Sequence, residues 1–195
     1  MQPEDRDDPT LEAVSQLESA SPEQTYELGR RLGTLLAAGD VVGLCGDLGA
    51  GKTLFTRGVG VGMGADRRYR VASPTFTLIN EHPRVASDAD LAGRPKKLVH
   101  VDLYRLEELD EMVEIGLFDY LGGDGACLVE WFDRLAGEEP AERLELRLEA
   151  TGDERRRLTA RAFGERHRQL LQAWLHEHRQ DRGEGADEDD EEEAR

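Results

Sequence analysis

The stretch VVGLCGDLGAGKTLF, Val41 to Phe55, predicts the central unit of the fold. It begins with five mostly apolar residues, Val41–Cys45, as expected of a strand that is buried on both faces of a sheet. A glycine-rich turn follows, and the residues from Gly51 to about Met63 then have the pattern of a helix. This order of strand, turn and helix indicates an α/β domain.

The turn contains the pattern G-x-x-x-x-G-K-[ST], formed by Gly46, Gly51, Lys52 and Thr53. Glycines let successive backbone N–H groups curl around phosphate oxygens, and the helix N-terminus adds a favourable dipole. Lys52 supplies a mobile charge for the β- and γ-phosphates, and the Thr53 hydroxyl is a hard oxygen ligand suited to Mg²⁺. We therefore predict a nucleoside triphosphate site, with contacts from Asp47, Leu48, Gly49, Ala50, Gly51, Lys52, Thr53 and Leu54.

Two acidic residues follow apolar runs and are candidates for the metal site. Asp102 follows KLVHV, and Glu130 follows ACLV. Ligands of open α/β sheets bind at the carboxyl ends of the strands, and a nucleotide-bound metal needs an acid there. The alternative for either residue alone is a strand-terminal carboxylate exposed to water. The sequence leaves open which acid contacts the metal.

The remaining segments predict a three-layer, P-loop NTPase-like α/β domain with a mainly parallel central sheet and an antiparallel hairpin near the C-terminus. Ser21 and Pro22 begin a helix that ends at Gly39. The other predicted helices are LEELDEMVEIGLFDYLG and ERHRQLLQAWLHEHR. The predicted strands are TFTLINEH, KLVHVDLYR and ACLVEW, with RLELRLEAT and RRRLTARAF forming the hairpin.

Charge divides the chain into a central domain and two acidic ends. Residues 1–20 and 181–195 carry net charges of −5 and −7 out of −17, leaving −5 for residues 21–180. We predict disorder in both ends, because like charges repel and little apolar surface offsets the chain entropy. The tail is alternatively a regulatory arm, or the acidity an adaptation to a salty cytoplasm. The acidic balance argues against unaided binding of nucleic acid.

The two cysteines, Cys45 and Cys127, lie within apolar runs and are predicted to be small buried residues. Together with the absence of a signal peptide or a long apolar segment, they predict a reducing cytoplasm and no membrane contact. SPTF, Ser73–Phe76, is an ordinary proline turn on the residues alone, although a hydroxyl there is able to approach a γ-phosphate.

Four motifs in this order, GDLGAGKT, SPTFTL, HVDLYRL and CLVEW, resemble the TsaE family, the ATPase subunit of bacterial tRNA threonylcarbamoyladenosine synthesis. The resemblance spans about Thr25 to the closing helix. It implies a small cytoplasmic protein that binds ATP and Mg²⁺ and hydrolyses ATP slowly alone. It further implies two partners, TsaB and TsaD, of which TsaD transfers a threonylcarbamoyl group to adenosine 37 of tRNAs reading codons that begin with A. Contact with tRNA would be indirect.

The resemblance also implies catalytic and metal-binding roles. Lys52 and Thr53 would hold phosphate and metal, Glu130 would be the metal-associated acid, and Asp102 the acid of the DLYRL strand. Thr75 of SPTF would belong to a segment compared with a GTPase switch loop. Hydrolysis would proceed by in-line attack of water on the γ-phosphate.

The resemblance also implies roles for three further residues. Thr25 matches a threonine of the family, and Trp131 follows the metal-associated acid and would couple the site to a partner. An arginine of the last hairpin, either Arg155 or one a position or two away, would reach the nucleotide. The excursion within residues 83–97 is longer than the family's pattern.

Two other functions share the glycine-rich turn. A small-molecule kinase needs an acceptor pocket and an arginine-bearing lid, and no long Arg-rich segment lies between the strands. A GTP-dependent switch needs a guanine-reading N-K-x-D motif, which does not occur, and DLYRL does not supply the D-x-x-G of a switch.

Overall fold

The computed structural model describes residues 13–66, 74, 77–85, 93–106, 108–135 and 137–181. The helices are α1 Pro22–Leu35, α2 Lys52–Met63, α3 Leu109–Glu114, α4 Leu117–Tyr120 and α5 Glu165–Asp181, with a 3₁₀ turn at Phe132–Leu135. The strands are β1 Ala13–Ser19, β2 Val41–Cys45, β3 Ile79–Pro83, β4 Lys97–Asp102, β5 Ala126–Glu130, β6 Arg143–Ala150 and β7 Arg156–Phe163.

The seven strands form one mixed sheet in the order β1-β7-β6-β2-β5-β4-β3. The four central strands, β6, β2, β5 and β4, are parallel. The pairings of β1 with β7, β7 with β6, and β3 with β4 are antiparallel. The centre of the sheet is therefore parallel as predicted and the predicted hairpin, β6–β7, is confirmed, but the antiparallel strands at both edges make the whole sheet mixed. Consecutive strands β3 and β4 pair directly without the crossover helix that a parallel pair requires.

Strand β1 corrects the predicted extent of N-terminal disorder. Ala13–Ser19 pairs with β7, and Leu17 is buried opposite Leu158. Oε1 of Glu18 lies 2.9 Å from Nε of Arg157 in β7. The arginine therefore compensates part of the negative charge of the N-terminal segment. The prediction of disorder is wrong for residues 13–19, whose alternating burial is that of an edge strand. Residues 1–12 and 182–195 lie outside the described residues.

Helices cover both faces of the sheet, which gives the predicted three layers. Along β2, Val42 and Leu44 belong to a core shared with α1, α2 and α5, whereas Val41 and Cys45 face α3, α4 and the 3₁₀ turn. Burial raises the pKa of Cys45 to about 11 and that of Cys127 to about 12, so both thiols are uncharged near neutrality. The predicted burial of both cysteines is confirmed.

Several helix boundaries differ from the sequence-based expectation. Ser21 caps α1 as predicted, accepting a hydrogen bond from the Gln24 amide at 3.3 Å. The helix ends at Leu35 rather than Gly39. The predicted helix after β4 is two short helices, because Gly116 adopts a left-handed φ of 70° between them.

Helices α1 and α2 pack backbone against backbone through glycines. A Cβ atom added at Gly58 of α2 would overlap the carbonyl oxygen of Tyr26 in α1, and one at Gly62 would overlap that of Arg30. This close approach fixes the position of α2, whose first residues are Lys52 and Thr53.

Replacing Gly58 with alanine should lower the free energy of unfolding by about 1–3 kcal/mol, because the added methyl group meets backbone that cannot move aside. Gly152→Ala in the β6–β7 turn is the control, since its Cβ would lie 3.6 Å from the nearest atom, in the Arg155 side chain. Urea unfolding measures both variants. Equal stability would contradict the role assigned to this helix contact.

Candidate functional site

The glycine-rich loop between β2 and α2 has a conformation that depends on its glycines. Gly46, Gly49 and Gly51 have φ values of 135°, 80° and 108°, a region that side chains rarely adopt. A Cβ at Gly46 would also overlap the carbonyl oxygen of Leu148. The loop lines one side of a cavity of about 480 Å³, whose other lining residues are Lys52, Thr53, Leu54, Asp102, Tyr104, Glu130, Trp131 and Arg156.

Residues predicted to bind the nucleotide divide between two cavities that share the loop. Leu48, Gly49 and Ala50 line both. Asp47 lies outside the lining of the first cavity and lines a second, of about 430 Å³, between the loop and β6. A larger cavity, of about 680 Å³, lies near β1, α1 and α5 and has no contribution from the loop.

Lys52 is buried within the loop that it follows. The side chain is 5% exposed, and its Nζ donates hydrogen bonds to the carbonyl oxygens of Gly46 and Asp47, the latter at 2.9 Å. Nζ also lies 3.8 Å from the centroid of the Trp131 ring, a cation–π contact. Burial lowers the pKa of Lys52, and the carboxylates of Glu130 and Asp102 oppose this shift. The ammonium is thus held between two loop carbonyls and an aromatic ring.

Glu130 joins the carboxyl end of β5 to the start of α2. Its Oε2 accepts a hydrogen bond from the Thr53 hydroxyl at 3.0 Å. Its Oε1 lies 2.8 Å from Nε2 of His100 in β4. Only 2% of Glu130 is exposed. The carboxylate therefore lies between two donors, one of which is the hydroxyl predicted to bind metal.

Asp102 occupies the equivalent position on the neighbouring strand. It pairs with Glu130 across the parallel β4–β5 ladder and is 2% exposed. Its Oδ1 accepts a hydrogen bond from the Tyr104 amide at 3.0 Å. The sheet register thus brings both predicted acids to the cavity, but the direct bond to Thr53 comes from Glu130.

The arginine of the last hairpin that contacts the loop is Arg156. Its Nε donates to the Ala50 carbonyl at 2.9 Å, and its Nη2 to that of Gly49 at 3.3 Å. Arg156 lies within the one or two positions around Arg155 that the prediction allowed, whereas Arg155 itself is exposed and lines the larger cavity. The alternation in β7 could have shown this, because Arg156 shares a face with the buried residues Leu158 and Ala160.

Of the two threonines predicted to lie near the nucleotide, Thr25 is among the described residues and Thr75 is not. Thr25 is buried below the loop, with its methyl group facing Gly51 and its hydroxyl 2.7 Å from that of Ser19. Thr75, like Ser73 and Phe76 of the same motif, lies outside the described residues. Just after this motif, the Leu78 carbonyl accepts a hydrogen bond from the Asp102 amide at 2.9 Å.

Trp131 has a strained backbone at the mouth of the cavity. Its φ of 61° is left-handed, which is uncommon for a bulky residue and is associated with functional sites. Its ring packs against Tyr104, with centroids 5.0 Å apart, and Arg134 lies 5.8 Å from its centroid.

Sequence reasoning missed His100, Tyr104 and Arg134. The signal for His100 was its position two residues before Asp102, on the same face of β4.

The comparisons with known proteins agree on one family. The profile of the family described as "Threonylcarbamoyl adenosine biosynthesis protein TsaE" matches residues 19–158. A Bacillus subtilis protein named tRNA threonylcarbamoyladenosine biosynthesis protein TsaE is 40% identical over 154 residues, covering 79% of this chain and 89% of the relative. A Streptomyces coelicolor protein of the same name is 46% identical over 145 residues, covering 72% and 91%.

A solved structure has the same fold. The crystal structure of YdiB from Bacillus subtilis aligns with a TM-score of 0.66 and 33% identity, covering 86% of this chain and 98% of that one. Within the described residues, no helix is both long enough and apolar enough to cross a bilayer.

Proposed function

Because the chain belongs to the TsaE family and acts in the synthesis of tRNA threonylcarbamoyladenosine, we propose that its own contribution is the Mg²⁺-dependent binding and hydrolysis of ATP. The observation that carries this proposal is the hydrogen bond between Thr53 and Glu130. It joins the last residue of the phosphate-binding motif to an acid at the end of a buried strand, as in P-loop nucleoside triphosphatases.

The donor set fits magnesium. The Thr53 hydroxyl and the carboxylates of Glu130 and Asp102 are hard oxygen ligands, and all three residues line the same cavity. Magnesium bound there would neutralise charge on the phosphate oxygens. Glu130 orients Thr53 by accepting a hydrogen bond from its hydroxyl. The lone pairs of the hydroxyl oxygen would then be available to the metal. Asp102 would orient water.

The phosphate contacts come from the loop and from Lys52. The loop backbone surrounds the terminal oxygens with N–H groups, and the N-terminus of α2 adds its dipole. Lys52 exchanges the carbonyls of Gly46 and Asp47 for the β- and γ-phosphates and stabilises the charge that develops during attack by water. Trp131 confines the ammonium from the other side.

We further propose that the chain works in the cytoplasm with TsaB and TsaD, and that it meets tRNA through them. TsaD would transfer the threonylcarbamoyl group to adenosine 37 of tRNAs reading codons that begin with A. The acidic balance supports indirect contact, since a net charge of −17 repels the tRNA backbone.

Reconstitution tests the proposal. Purified chain is mixed with TsaB, TsaD, tRNA and the activated threonylcarbamoyl donor, and modified tRNA per enzyme is counted with ATP and without it. We expect repeated turnover only with ATP. Equal yields would reject the ATP-dependent role, whereas phosphorylation of a small hydroxyl compound in a parallel panel would indicate a kinase.

Arg156→Ala should weaken ATP binding by about tenfold, because the guanidinium holds the Gly49 and Ala50 carbonyls and so fixes the loop. Arg155→Ala removes the same charge from the same hairpin and is the control. Calorimetric titration with ATP and Mg²⁺ measures both. Similar affinities of the two variants would mean that the loop does not depend on Arg156.

A further inference from the structure

His100 is a buried histidine next to the site with a single hydrogen-bonding partner among the described residues. It is wholly buried in β4, and its Nε2 lies 2.8 Å from Oε1 of Glu130. Its Nδ1 is buried and has no partner in the described part of the chain. With Glu130 as the acceptor of this bond, as it is of the Thr53 hydrogen bond, Nε2 of His100 carries the hydrogen. The hydrogen-bonding capacity that the ring uses is thus directed to Glu130.

The ring is held in place by packing. His82 of β3 lies against it, with ring centroids 6.4 Å apart, and is itself buried. Neither ring nitrogen of His82 has a partner among the described residues. His82 therefore acts on His100 as a packing surface and does not compete for the hydrogen bond.

We propose that His100 is a positioning residue for hydrolysis, which rests on the proposed ATPase function. By holding Oε1 of Glu130, it fixes the rotation of the carboxylate and keeps Oε2 directed at the Thr53 hydroxyl. His100, Glu130 and Thr53 form a chain from the middle of β4 to the start of α2. Loss of the donor would free the carboxylate to rotate and would leave Thr53 without a fixed orientation.

A positioning role and a packing role of His100 predict different defects when the residue is replaced. Backbone N–H groups and Lys52 contact the phosphates, and neither depends on His100. The positioning role therefore predicts a defect in magnesium-dependent steps, with metal-free nucleotide binding retained. A packing defect would lower both together with the stability of the fold.

Two polar substitutions of His100 differ in how far their amide nitrogen extends toward Glu130. The amide nitrogen of Gln is able to occupy the position of Nε2, whereas the shorter Asn side chain reaches only the position of Nδ1. We expect His100→Asn to lower kcat about 10- to 100-fold and to raise the Mg²⁺ concentration for half-maximal hydrolysis. His100→Gln should retain activity within about threefold of the original chain, since it restores the donor.

The full-length chain is assayed for ATP hydrolysis over a magnesium series, and for ADP binding in EDTA by calorimetry. Equal impairment of Asn and Gln variants, or parallel loss of metal-free ADP binding, would overturn the inference and leave the ATPase proposal standing. Absence of magnesium-dependent hydrolysis in the original chain would overturn both. If circular dichroism shows that His100→Asn is unfolded, His100→Leu, with similar volume and no donor, replaces it.

Discussion

Replacing Lys52 with alanine should reduce ATP hydrolysis about 10²- to 10³-fold, close to complete loss. The ammonium of Lys52 is held within the loop, where it is buried between the loop carbonyls and the Trp131 ring. In this setting its charge is poorly hydrated, so its attraction for a developing phosphate charge is large. Steady-state release of inorganic phosphate, with partners present, measures the effect.

The fold should tolerate the loss of Lys52. Burial lowers the pKa of Lys52, so the charged ammonium is less favourable in the native than in the unfolded chain. The free energy of unfolding therefore increases as the pH rises from the pKa of Lys52 in the folded chain to its pKa in the unfolded chain. At pH values below this range, the buried charge destabilises the native state. Lys52→Ala should therefore unfold at the same temperature as the original chain at neutral pH, or higher.

Lys96→Ala is the matched control for Lys52→Ala. Lys96 is exposed and pairs with Asp124, away from the cavity. Its removal changes the net charge equally and should leave hydrolysis unchanged. Full turnover by Lys52→Ala would reject the assignment of Lys52 to the γ-phosphate.

Replacing Glu130 with glutamine should weaken magnesium-dependent ATP binding about 10- to 100-fold while leaving binding in EDTA nearly unchanged. The substitution keeps the shape of the side chain but removes the charge that faces Thr53 and His100. Calorimetric titrations with and without Mg²⁺ measure the two affinities.

Asp102→Asn is the matched comparison for Glu130→Gln and addresses which acid governs the metal. Both acids are equally buried, but Glu130 bonds Thr53 and Asp102 accepts from the Tyr104 amide. We expect the larger magnesium-specific loss from Glu130→Gln. If binding with and without metal fell alike, Glu130 would be a packing residue.

The loop and the two acids could be located from the sequence because their signals are local. The spacing of Gly46, Gly51, Lys52 and Thr53 determines a short turn, and each acid directly follows its own apolar run. Parallel pairing then brings Asp102 and Glu130 together at one edge of the sheet. The roles of these residues in hydrolysis stay predictions until the variants are measured.

The sequence was less informative where the position of a residue depended on distant partners. Arg155 and Arg156 differ by one residue, which reverses the face of a strand, and only the start of β7 decides between them. Ala13–Ser19 lies in an acidic segment, and its strand depends on β7, which lies far along the chain. The bond from His100 to Glu130 likewise joins residues thirty positions apart.

The contacts of Lys52 with its own loop have a consequence for the affinity of the proposed site. If a triphosphate binds to the loop as proposed, it would displace the Gly46 and Asp47 carbonyls from the ammonium, so binding would exchange one set of hydrogen bonds for another. The net affinity would be the difference in free energy between these two sets of contacts, and the loop carbonyls would accept from the ammonium again after the product leaves. A site of this kind would hold its nucleotide less tightly than one whose lysine has no internal partner.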